Sequence, residues 1–172
     1  MTSFCFEHLF LASGVDDVFA AYFDSGHQIE QDRVLEIAER QVIEFVDAGD
    51  ELIRRCRVVP RRQLPVLLRP FSSGPLHYLE HVVGRRAAGE IAIDLRLLGD
   101  RGRVTARYAL EQPAPGSVRR RYSGDVSVDV ALVSARVERG IVAEFERSLA
   151  RAADCTQKWL DLKTHRSVAA RA

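Results

Sequence analysis

The side chains in this sequence that could do chemistry are few. Glu80, Arg54, Arg120 and His8, with the tyrosines Tyr78, Tyr108 and Tyr122, fall where strand alternation sets polar groups among apolar neighbours. An ionised carboxylate on an apolar face is costly unless it is paired, so Glu80 is expected either to carry a raised pKa or to meet Arg120, Arg54 or a tyrosine hydroxyl. The first state suits a general acid or base acting on a bound carbonyl or enol, with a tyrosine polarising the oxygen. The second suits an anchor for the polar end of a ligand, or a structural pair that touches no ligand. Glu80 is therefore the one candidate catalytic residue, and both readings stay open on the residues alone.

Other chemistry lacks its motifs. The sequence has no GxGxxG behind a strand, no P-loop, no GxSxG and no Cys/His nucleophile pair. His77 and His81 stand four apart on an expected strand, on its convex side, without a third ligand at recognisable spacing. No metal and no cofactor are expected.

These residues need elements to position them. Phe4, Phe6, His8 and Phe10 alternate with Cys5, Glu7 and Leu9, the pattern of a strand. After Ser13 and Gly14, Val15, Val18, Phe19, Tyr22 and Phe23 recur at helical spacing, with Ser13 as the expected cap and Asp16 and Asp17 in the first turn. Past Gly26, Ile29, Val34 and Ile37 suggest a second, weaker helix, and strands resume near Arg40. Turn signals then recur at Ala48-Gly49, Gly89, Gly99 to Gly102 and Pro113 to Gly116, which predicts a meander of six strands. The stretch from Gln63 to Pro75 is too rich in proline for a central strand and reads as a connection at the mouth of the sheet, a place for a gate. From Val133 to Trp159 the apolar residues Val137, Ile141, Phe145, Leu149, Ala152 and Cys155 form one stripe along a long helix.

Hairpin register predicts which side chains share a face. If Arg86 closes on Gly89, Tyr78, Glu80 and Val82 lie with Ile91, Ile93, Leu95 and Leu97. Continuing through the next two turns adds Val104, Ala106, Tyr108 and Leu110, then Val118, Arg120, Tyr122, Gly124 and Val126. The hairpin at Ala48-Gly49 adds Ile43, Phe45, Leu52, Arg54, Cys56 and Val58. The result is a mostly apolar concave wall, and the long helix needs such a surface to cover its stripe.

Bulk properties narrow the classes. With 172 residues the chain suits one domain, and 47% hydrophobic with 28% charged residues is a globular composition. Lys plus Arg total 25 against 24 acidic residues, a net charge of +1 that does not favour nucleic acid. Cys5, Cys56 and Cys155 are widely spaced and read as buried thiols of a cytoplasmic protein. No apolar run is long enough to span a bilayer, and the first residues do not look like a signal peptide.

The order strand, two short helices, six strands, long helix resembles the α+β helix-grip fold of the START and SRPBCC superfamily, which includes lipid-transfer domains and polyketide cyclases. The residues that carry the likeness are Phe4 to Leu11, Gly14 to Phe19 and Tyr122 to Leu160, and within the superfamily the chain is similar to an uncharacterised bacterial branch. The resemblance implies a curved antiparallel sheet of about seven strands around the last helix, in one domain over residues 1–162, and the polar run 163–172 reads as a frayed tail. It also implies an apolar cavity between sheet and helix. The expected function is to carry or sense an apolar or aromatic small molecule there, lipid- or polyketide-like, with Phe45, Tyr78, Glu80, Tyr108, Arg120, Tyr122, Ile141, Phe145 and Leu149 as its contacts. The alternatives are a cyclase or dehydratase using Glu80 and a tyrosine, and a protein-interaction domain whose cavity is filled. A homodimer through a free sheet edge is also open.

Overall fold

The computed structural model describes residues 1–61, 76–130 and 132–169. The Gln63 to Pro75 connection, read above as a gate, lies outside the described residues.

Strand β1 (Thr2–Leu11) is followed by helices α1 (Val15–Phe23) and α2 (Ser25–Val34), strands β2 (Ile37–Asp47), β3 (Glu51–Pro60), β4 (Tyr78–Arg85), β5 (Glu90–Leu97), β6 (Gly102–Ala114) and β7 (Ser117–Val128), and helix α3 (Ser134–Ala169). The seven strands form one antiparallel sheet in the order β1-β7-β6-β5-β4-β3-β2. β1 and β2 are thus the two edges, and α1 and α2 carry the chain from one edge to the other. This is the helix-grip architecture that the sequence resembles. Four of its hairpin turns hold a glycine at positive φ, Gly49, Gly89, Gly99 and Gly116, a conformation in which any other side chain would be strained.

Because those turns fix register, the inner face follows the expected alternation. Tyr78, Glu80 and Val82 pair with Leu97, Leu95 and Ile93, and Val104, Ala106 and Tyr108 with Val126, Gly124 and Tyr122. Val58, Val82, Val104, Val118 and Val126 on this face are fully buried. On the long helix Val137, Leu149, Ala152, Ala153, Cys155 and Leu160 are buried, while Ile141, Val142 and Phe145 pack on the core but stay partly exposed.

Several local expectations change. Helix α1 is capped by extended Gly14 without a side-chain bond, while the Ser13 backbone N–H donates to Asp17 Oδ2 at 3.1 Å. Helix α2 has the side-chain cap instead, Asp24 accepting from the N–H groups of Gly26 and His27. It sits so close to α3 that a Cβ on Gly26 would lie 2.7 Å from Trp159 Cη2. Helix α3 runs to Ala169, past the Leu162 expected as its end. Cys5 is exposed rather than buried, since β1 turns its odd-numbered residues outward, whereas Cys56 and Cys155 are buried.

Candidate functional site

The largest departure from simple alternation lies in β2 and decides the polar chemistry. Arg40 and Val42 pair with Val58 and Cys56 on β3, but after the irregularity at Val42/Glu44 it is Phe45 that pairs with Arg54. Ile43 is the extra residue of this bulge and is 59% exposed, so it does not join the concave wall. Phe45 keeps its register but sits on an edge strand and is 50% exposed. The bulge turns Arg40 inward, although its odd separation from Phe45 would set the two on opposite faces of a regular strand.

Arg40 then completes a buried ion network. Its Nε donates to both Asp32 oxygens at 3.0 Å, and its Nη1 donates to Glu80 Oε1 at 2.9 Å. Arg54 Nη2 reaches the same Glu80 oxygen at 3.5 Å, and Arg54 Nη1 donates to the Tyr22 carbonyl at 3.2 Å. The Arg40, Arg54 and Glu80 side chains are 9%, 7% and 11% exposed. Burial opposes the charge on Arg40, but Glu80 and Asp32 together more than reverse that effect and raise its pKa. Tyr78, next to Glu80, is held protonated by burial and then by the Glu80 charge. Glu80 therefore meets Arg54 as expected and Arg40 unexpectedly; Arg120 stands elsewhere.

Arg120 belongs to a second cluster. It is 4% exposed, and its guanidinium carbon lies 4.9 Å from the centre of the Tyr108 ring and 5.0 Å from that of Phe10. Its Nη2 donates to Nδ1 of His8, the cross-strand neighbour, at 3.3 Å, and its buried Nε has no hydrogen-bond partner among the described residues. Burial and then the Arg120 charge lower the His8 pKa. Tyr108 and Tyr122 pack with ring centres 4.3 Å apart, and Phe4 and Phe145 close around Tyr122 at 5.2 and 6.5 Å. Tyr22 joins the clusters, with its ring 5.5 Å from Tyr108 and 5.2 Å from the Arg54 guanidinium carbon. Burial raises the pKa of Tyr22, Tyr108 and Tyr122, so each keeps its hydroxyl proton at neutral pH.

Between these clusters and the helices lies a small, partly open space of about 10 Å³, lined by Val18, Tyr22, His27, Gln31, Ile91, Tyr108, Leu110, Arg120 and Thr156. His27 is 1% exposed; its Nδ1 donates to the Ala21 carbonyl at 2.7 Å and its Nε2 lies 3.1 Å from the Thr156 hydroxyl. Burial lowers its pKa. Of the expected contacts, the structure thus gathers Tyr108, Arg120, Tyr122 and Phe145 into one cluster and Tyr78 and Glu80 into another. Ile141 and Leu149 flank Phe145 one turn away on α3, and Phe45 lies apart at the edge. Asp32, Arg40, Tyr22, His27, Gln31 and Thr156 were not anticipated. Only Tyr22 carried a usable signal, its place in the apolar stripe of α1.

A model for a protein family of unknown function, DUF2505, matches residues 11–160. The chain belongs to that family. No curated protein matches it. Among solved structures, TTHA0849 from Thermus thermophilus is 10% identical with a TM-score of 0.66, over 94% of this chain and 99% of its own. The ZhuI aromatase/cyclase from Streptomyces sp. R1128 is 9% identical at a TM-score of 0.62, over 95% and 96%. A START superfamily protein from Mycobacterium smegmatis is 13% identical at 0.60, over 93% and 97%. This DUF2505 chain therefore has the START/SRPBCC fold. No helix among its described residues is long and apolar enough to cross a membrane.

Proposed function

We propose that this DUF2505 protein binds a small apolar or aromatic molecule between the sheet and α3, as a carrier or sensor. The observation that carries this reading is the set of polar groups from Tyr22, His27, Gln31, Tyr108, Arg120 and Thr156 around a small space inside a largely apolar core. Packing alone favours apolar side chains there, and convergent polar groups in an apolar pocket are the usual form of a ligand site. The aromatase/cyclase with the same fold supports an aromatic ligand. The space of about 10 Å³ has room for about one water. A ligand body must therefore displace side chains, and the partly exposed Ile141, Val142 and Phe145 of α3 are placed to give way. Glu80, shared by two arginines, suits a structural or anchoring role better than proton transfer.

The small space favours a second reading, an interaction domain whose interior is filled by its own side chains. Native mass spectrometry of protein purified from its own host separates the two. An excess mass that disappears on denaturation, and that yields an extractable apolar compound, supports the ligand reading; a bare mass, with no thermal stabilisation by a panel of aromatic and acyl compounds, refutes it.

A further inference from the structure

We propose that the ligand is an acid, an apolar molecule carrying one carboxylate, and that Arg120 is the residue that receives it. This rests on the small-molecule reading above and adds the charge and the end of the ligand. The interior charges do not balance: Arg40 and Arg54 face Asp32 and Glu80, two positive groups against two negative, whereas Arg120 has no carboxylate within salt-bridge distance among the described residues. Its partners are the neutral ring nitrogen of His8, held neutral by burial and by Arg120 itself, and the faces of Phe10 and Tyr108. A guanidinium that is 4% exposed with an orphaned Nε is an expensive feature for a core to keep, because breaking even with burial takes an opposite charge and filled hydrogen bonds. The group lines the small space described above, so a ligand atom there meets it directly.

The geometry selects the chemistry. Nε and its neighbouring Nη nitrogen form a planar fork that matches the two oxygens of a carboxylate, and a planar acid is the anion that uses both at once. The Tyr108 ring, tilted against Tyr122, continues from the guanidinium into the aromatic cluster that ends at Phe145 and the partly exposed Phe6 of β1. An apolar body that runs along these rings towards the seam between β1 and α3 places its carboxylate at Arg120, where it takes over from His8 as acceptor.

The test is calorimetric titration with three matched pairs, benzoate and benzamide, 2-naphthoate and 2-naphthamide, laurate and lauramide. Each amide keeps the shape and loses the charge. Wild type is expected to bind at least one acid about tenfold more tightly than its amide, the difference between a charge-assisted and a neutral hydrogen-bonded pair. In Arg120→Met the preference should vanish while amide affinity changes less than about threefold, and thermal stability should hold, since the change removes an uncompensated buried charge. Equal binding of acid and amide by wild type, a comparison that needs no variant to fold, overturns the acid inference and leaves the pocket standing. A preference that survives in Arg120→Met overturns the role of Arg120. Binding of none of the six compounds, together with a bare native mass, overturns the small-molecule reading and this inference with it.

Discussion

Replacing Glu80 by glutamine removes one negative charge from the Asp32–Arg40–Glu80–Arg54 network without changing its shape. Arg40 keeps both of its 3.0 Å bonds to Asp32, but among the described residues Arg54 is left with the Tyr22 carbonyl at 3.2 Å and two ring faces, and its Nε already lacks a partner there. Two positive and two negative buried groups become two and one. Removing one member of a buried pair costs about 3–5 kcal/mol because a charge is stranded, and the retained amide oxygen keeps one hydrogen bond of about 1 kcal/mol. The expected net loss is about 2–4 kcal/mol, or roughly 5–12 °C in Tm for a chain of this size. Urea and thermal unfolding at neutral pH measure it. Arg54→Met, which leaves Glu80 paired with Arg40, should cost less, and the double variant should cost less than the sum of the two, because the stranded charge is gone. A Tm within about 2 °C of wild type for Glu80→Gln, with additive behaviour in the double variant, would refute the view that this network is energetically coupled.

Three further outcomes follow from the same geometry. The unfolded chain binds a proton on His27 near pH 6.5 while the folded chain resists it, so stability is full above about pH 6.5 and falls as the pH drops below it; His8 acts with the same sign. Urea midpoints between about pH 7.5 and 5 should show the slope, reduced in His27→Gln if that residue carries it. Gly26→Ala puts a methyl 2.7 Å from Trp159 Cη2, and the clash should outweigh the gain in helix propensity for a net loss of about 1–2 kcal/mol by urea unfolding; a more stable variant would show that α2 does not seat against Trp159. Of the three thiols, exposed Cys5 should react rapidly with a disulfide reagent at neutral pH, and Cys56 and Cys155, whose pKa burial raises, only on unfolding.

Local signals carried much of the fold. The glycine turns at Gly49, Gly89, Gly99 and Gly116 and the two-residue alternation between them specify register, because a slip of one residue would expose Val58, Val82, Val104 and Val126 together. The position of Tyr78, Glu80, Tyr108, Arg120 and Tyr122 on one face was legible for the same reason. The end of α3 was less so: the polar run after Leu162 reads as a tail, yet it continues the helix to Ala169.

Partner choice inside the interior was decided only by the tertiary structure. Glu80 and Arg54 lie on the neighbouring strands β4 and β3, two residues out of register, but Arg40 on β2 and Arg120 on β7 are on strands that do not touch β4, and strand parity is silent on how far a curved sheet sets such side chains apart. Arg40 was hidden because one extra residue at Ile43 reverses the parity of everything before it, and a bulge leaves no mark in composition or period. His27 was hidden because α2 has no apolar stripe; its burial comes from docking on Thr156 and Trp159, more than a hundred residues further along the chain. The sequence by itself thus determined the inward-facing residues of β1 and of β3 to β7, where alternation holds and local geometry decides, but not those of β2 and α2. Only the packed chain decided that four of the interior charges neutralise one another and that Arg120 is left without a countercharge among the described residues, since that is a matter of distances of a few ångströms across the core.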